Sequence, residues 1–142
     1  MTDFGTIRFV SAKLAAEWGR LRPDLQDLLA RANAEWAQPR GHALVVTHLL
    51  RSHADHVRIY TPRYGADPAK WPASVPRVSP HEPGPDGIGR ACDLRCRDYS
   101  REERADLVRW FNEHGPARAD GKPTALCHDV GAGLHFHVQV PR

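Results

Sequence analysis

Near the carboxyl end, the run GLHFHVQV sets His135 and His137 two apart in a stretch that alternates apolar and polar residues. On a strand, Leu134, Phe136, Val138 and Val140 share one face, and His135, His137 and Gln139 share the other. Two imidazoles aimed into one space can bring a metal ligand together with a second polar group. The plainer alternative is a solvent-facing polar stripe. A second chemical segment, SPHEPGPDGIGRACDL, supplies His81 and Asp93. Asp93 stands in a short apolar, strand-like piece, where a lone carboxylate is costly and needs a charge partner. Two histidines and a carboxylate, with water at an open position, are one ligand set of catalytic zinc.

Other residues could serve such a centre. His128 and Asp129 come within reach if the strand before the glycine turn pairs with the last one. Asp129 reads as a partner that fixes a histidine, with general base and ordinary turn residue as alternatives. His135, as an imidazole, suits a general base or an orienting group. Arg51 has the fork that matches a carboxylate or a developing oxyanion, and its alternative is a surface ion pair. Cys92, Cys96 and Cys127 lack the tight Cys-x-x-Cys spacing, and alternation puts Cys92 on the face opposite Asp93. They read as small core residues rather than as a structural zinc site. Trp18, Trp36 and Trp110 read as core, whereas Trp71 lies in a long loop and reads as the wall of a groove.

The elements that must position these groups follow from periodicity. Residues 21–38 predict a helix, with Pro23 in the first turn and Leu25, Leu28, Leu29, Ala32 and Trp36 on one face. Pro39 and Gly41 end it. Residues 42–49 read as a buried strand. Seven prolines between Tyr60 and Gly89 argue against a long helix or central strand there, and a loop of that length is usually functional or disordered. Residues 90–96 predict a short strand, and Ser100 with Glu103 a capping box that opens a helix through Leu107, Val108 and Phe111. His114, Gly115 and Pro116 close that helix. Residues 125–130 and 134–140 read as two strands joined at Gly131 and Gly133. The order of elements predicts an α+β fold over 1–142, a single domain with helices packed on a small, mainly antiparallel sheet. Residues 1–19 read as an N-terminal extension.

Composition bounds the function. The 142 residues are 41% hydrophobic and 26% charged, in the range of an ordinary globular domain. Apolar runs such as ALVV are too short to span a bilayer, so no membrane partner is expected. The amino terminus lacks the order of a signal peptide, which predicts synthesis in the cytoplasm. A net charge of +3 does not argue for nucleic acid. Arg95, Arg97, Arg101 and Arg104 lie close together, but Asp98, Glu102 and Glu103 among them predict a surface of mixed charge. Nothing in the chain predicts an oligomeric state.

His81, the GRACD run and the final His-x-His strand together resemble a particular group of zinc proteins. It comprises the D-alanyl-D-alanine metallopeptidases, the lysostaphin-like endopeptidases and the hedgehog signalling domain. VVTHLLRSHADHVRIY resembles the upstream Arg-Ser segment of that group, with Arg51 and Ser52 at the Arg-Ser. SPHE matches the first ligand motif, GRACDLR the second and GLHFHVQVP the last strand, so the likeness covers roughly residues 20–142. It is nearest to small phage-borne members. The resemblance implies zinc held by His81, Asp93 and His137, and hydrolysis of an amide bond in peptidoglycan peptides, with release to the wall by lysis or a holin, as phage endolysins use. His135 would be the base, with Arg51, Asp129 and His128 in support. The chain departs from the group in the longer spacing of His81 and Asp93, with PDGIG as an added turn. It also has Leu134 where some branches carry an acid. The hedgehog-like relatives imply the alternative, a non-catalytic zinc-stabilised binding or virion module.

Overall fold

The computed structural model describes residues 7–116, 118, 120–129 and 133–141. Strands β1 (Arg8–Phe9), β2 (Val45–His48), β3 (Ala91–Arg95), β4 (Ala125–Asp129) and β5 (Leu134–Gln139) form one sheet in the order β1-β2-β3-β5-β4. Only β1 and β2 run parallel, and the other neighbours are antiparallel. Helices α1 (Ala12–Glu17), α2 (Pro23–Arg31), α3 (His53–Tyr64) and α4 (Arg101–His114) complete an α+β domain. Among the described residues, no helix is long and apolar enough to cross a membrane.

The sheet has two unlike faces because successive side chains point opposite ways. Val46, Leu94, Phe136 and Cys127 stand in one row of paired positions, and Cys92, Val138 and Ala125 in another. These residues belong to or pack on the hydrophobic core, which they share with Leu25, Leu28 and Leu29 of α2 and Leu107 and Phe111 of α4. The intervening row is polar: His48, Asp93 and His137 are paired across three strands, and Arg95, His135 and His128 lie beside them.

The helix expected over 21–38 is interrupted. After α2 the backbone widens into a π-helical segment, Ala32–Ala37, and tightens over Gln38–Arg40 before Gly41 turns with φ 76°. The widened turn buries Asn33, whose side-chain oxygen accepts from Leu44 N at 2.9 Å, and Trp36, whose indole donates to Asp106 of α4 at 2.8 Å. Both groups are satisfied through the π segment, which joins α2 to β2 and α4. Ser100 and Glu103 cap α4 reciprocally. Gly115, which ends it, is extended (φ −77°, ψ 161°) rather than left-handed. Its missing Cβ is needed for space: a Cβ there would meet Thr124 Cγ2 at 2.5 Å and Phe111 O at 2.8 Å.

Residues 7–19 are integral to the domain rather than an extension, since β1 forms an edge of the sheet and Ile7, Leu14 and Trp18 are in the core. The helix α3 was not expected, and it runs past Pro62 to Tyr64. A proline there removes a single backbone donor near the helix end, where the loss is smallest. The loop that follows is organised around Trp71 and His56, both buried. Val130 and Gly131, expected at the end of β4 and in the turn, lie outside the described residues.

Candidate metal centre

Asp93 and His137 face each other across the β3–β5 pair, in the row that also holds His48 on β2. His81 reaches this row from the proline-rich loop, held by three contacts. Its backbone N–H donates to Ser79 Oγ (3.1 Å), its carbonyl accepts from Arg51 N (2.9 Å), and its Nδ1 donates to the Leu49 carbonyl (2.7 Å). The added turn between His81 and Asp93 is pinned at its far end, where Gly89 N donates to Arg20 O and Gly89 O accepts from Arg22 N. The space at 89 is tight, since a Cβ there would come within 2.4 Å of Leu50 Cδ2 and push that side chain aside. The extra residues therefore loop outward while both ends stay fixed, which costs little entropy.

The three side chains converge on one point. His81 Nε2 lies 3.1 Å and His137 Nδ1 3.0 Å from the same Asp93 oxygen, Oδ1. The outward nitrogens meet acceptors: His81 Nδ1 the Leu49 carbonyl, and His137 Nε2 the Gln139 side-chain oxygen at 3.1 Å. Those bonds place a proton on each outward nitrogen and, in the neutral ring, a lone pair on each inward one. Two lone pairs and a carboxylate then meet in a space where the side chains are 5%, 11% and 14% exposed (His81, His137 and Asp93). Such a set is repulsive unless extra protons or a divalent cation lie among its members. These three residues, whose ligand atoms all lie within 4.8 Å of one another, can hold a metal ion. Burial by itself would raise the Asp93 carboxyl, but when protons fill the inward nitrogens instead of a cation, hydrogen bonds from His137 and His81 and their charge outweigh it and hold Asp93 well below the usual carboxylate range.

The remaining predicted residues divide. His135 is near the centre: its Nδ1 donates to Gly133 O (3.0 Å), and its Nε2 faces Asp93 Oδ2 at 3.6 Å, too long for a hydrogen bond. His128 packs its ring on His135 (4.8 Å between centroids) and His137 (5.9 Å). Burial, then the neighbouring His135 and His137, push His128 below the ordinary histidine value. Asp129 is exposed and accepts from Gly133 N at 3.1 Å, across the β4–β5 connection. It pairs with Leu134 rather than with either histidine of β5. Arg51 lines an open cleft of about 780 Å³ together with His48, Asp93 and His135, and its buried Nε has no hydrogen-bond partner among the described residues.

The cysteines stay apart from this centre. Cys92 and Cys96 are buried on the core side, and burial pushes the Cys92 thiol well up. Trp71 is not a groove wall: it is 4% exposed, donates to Gly65 O at 2.8 Å and packs against Tyr60 and His56. Sequence reasoning missed His48. Its ring lies 4.4 Å from that of His81, and its buried Nε2 has no hydrogen-bond partner among the described residues. Burial, then His81 and Arg51, lower it to about 4. Its place opposite Asp93 depends on the β2–β3 register, which shifts between Val46 and His48 and has no local signature. No protein-family model matches the chain, and neither a curated protein nor a solved structure does.

Proposed function

We propose that the chain is a zinc-dependent peptidase that hydrolyses an amide bond in peptidoglycan peptides, in the manner of a phage endolysin. The observation that carries the metal reading is the convergence of His81 Nε2, His137 Nδ1 and Asp93 Oδ1, with both outward ring nitrogens already committed to acceptors. The nitrogen and oxygen donors suit zinc. The peptidase reading rests on the resemblance of the SPHE, GRACD and HFH motifs to the D-alanyl-D-alanine metallopeptidase group.

Zinc, when bound, supplies polarisation of a carbonyl and acidification of water. The chain's own groups do the rest. His135, with its proton on Nδ1 held by Gly133 O, keeps a lone pair on Nε2 that faces the centre and can accept a proton from water and return it to the leaving amine. Arg51 lines the cleft, where its guanidinium can meet a substrate oxygen. Leu49 O and Gln139 fix the ring orientation of the two histidines.

One observation favours the second reading, a non-catalytic zinc-stabilised module. Leu134, where related peptidases carry an acid, is 43% exposed and cannot take a proton. The decisive experiment is release of fragments from purified peptidoglycan by zinc-loaded protein. Release that disappears on removal of zinc and returns on its addition is the expected result. No release from any wall type would reject the peptidase and leave the module.

A further inference from the structure

The cleft beside the metal group is lined by four arginines, Arg51, Arg95, Arg97 and Arg104. A guanidinium is charged at any pH a protein meets. Among the described residues no carboxylate pairs with any of the four, and none of their side chains makes a hydrogen bond. Two of the acids that the sequence interleaves with them have other neighbours. Glu103 accepts from Ser100 N and pairs with His42 at 2.9 Å, and Asp98 lines a second hollow beside Tyr99, which Arg95 also borders. Asp93, the one carboxylate in the cleft wall, is surrounded by three histidines. The expected surface of mixed charge is thus resolved by the fold into one cationic wall, whose self-repulsion an anionic ligand would relieve.

The wall has a definite place relative to the metal group. Arg95 pairs with His135 across β3–β5 and lies on the same face as Asp93, two residues on, about 6.6 Å along the strand. An extended peptide advances about 3.3–3.6 Å per residue, so this is about two residues of a bound chain. Leu134, which is exposed, lies among the arginines and offers apolar contact between the charges. No Trp, Tyr or Phe lines the cleft among the described residues, so it lacks the platform on which nucleic-acid bases stack. The chemistry fits a peptide with spaced carboxylates.

We infer that Arg95, Arg97 and Arg104 form a subsite for the carboxylates of an acidic peptide, about two residues along from the bond presented to the metal group. The inference rests on the peptidase reading for calling that peptide a substrate. The test is calorimetric titration of zinc-loaded protein at low salt with triglutamate and triglutamine, both amidated at the carboxyl end, and with tripolyphosphate. Triglutamate is expected to bind roughly tenfold tighter than triglutamine, and Arg95→Gln/Arg97→Gln/Arg104→Gln to erase the difference while keeping zinc content. If the triple variant fails to fold, exposed Arg97→Gln alone carries the test, with an expected loss of about threefold. Equal affinity for the two peptides, a preference that survives the substitutions, or binding of tripolyphosphate without triglutamate would overturn the subsite. Triglutamate preference in a protein that releases no wall fragments supports the subsite and rejects the peptidase. Fragment release with equal affinities does the reverse.

Discussion

The two faces of the β3–β5 pair differ in everything except backbone. On one face Cys92, Leu94, Phe136 and Val138 are each at most 1% exposed and meet only packing demands. On the other, Asp93, Arg95, His135 and His137 form a row of charge and lone pairs. The apolar face would be stable by itself, because burial of hydrocarbon needs no partner of a particular geometry. The polar face meets partners of its own, Gln139 Oε1 for His137 and Gly133 O for His135, and draws in His81 from the loop, which Leu49 O orients. The fold therefore spends its packing on one face and leaves the other poised to bind.

Substitutions one residue apart on β5 should separate the two faces. His137→Ala should abolish zinc binding and, with it, all zinc-dependent stabilisation and hydrolysis, while the urea midpoint of the metal-free protein changes little. Zinc content by atomic emission, alongside unfolding with and without zinc, checks this. Retained stoichiometric zinc would move the centre elsewhere. Phe136→Ala, next door, should cost about 3–5 kcal/mol of stability through the cavity it leaves, measured by urea unfolding of the metal-free protein. A loss under about 1 kcal/mol would mean that the apolar face is not the main source of stability.

Finer effects sharpen the contrast. His135→Ala should lower peptidoglycan-fragment release by about a hundredfold to ten-thousandfold with zinc content unchanged. Asp129→Asn, on the outer turn, should change release and zinc content little, and a large effect on either would give Asp129 a role in the centre. Cys92→Ser should retain zinc and lose about 1–3 kcal/mol by burying a hydroxyl on the apolar face. Zinc loss with the fold intact would instead favour a cysteine site.

The smallest effect is alkaline and lies in the core. Burial, then Asp98 and Glu103, raise Tyr99 from 10.0 to about 12. A raised folded value means stability that is complete below pH 10 and falls as pH rises toward 12, because the unfolded tyrosine ionises first. Urea midpoints should decline across that window in the parent and less steeply in Tyr99→Phe.

Sequence alone determined what depends on near neighbours. The alternation from Leu134 to Val140 separates the histidines from the core whatever the rest of the chain does, because a strand's side-chain period is fixed by its backbone. The Ser100–Glu103 box likewise starts α4 from four consecutive residues. Tertiary structure decided what depends on residues far apart. His81 meets Asp93 only because Leu49, Arg51 and Arg20 hold the two ends of an outward loop. His48 joins the centre through a shifted strand register, and α3 outruns its proline inside a loop cluster built on Trp71. Arg95, Arg97 and Arg104, from a strand, the turn after it and a helix, meet in one cleft with Arg51 only in the folded chain. Side-chain direction within an element is a local property. Which side chains meet across elements is set by long-range packing, and no short stretch of sequence encodes that.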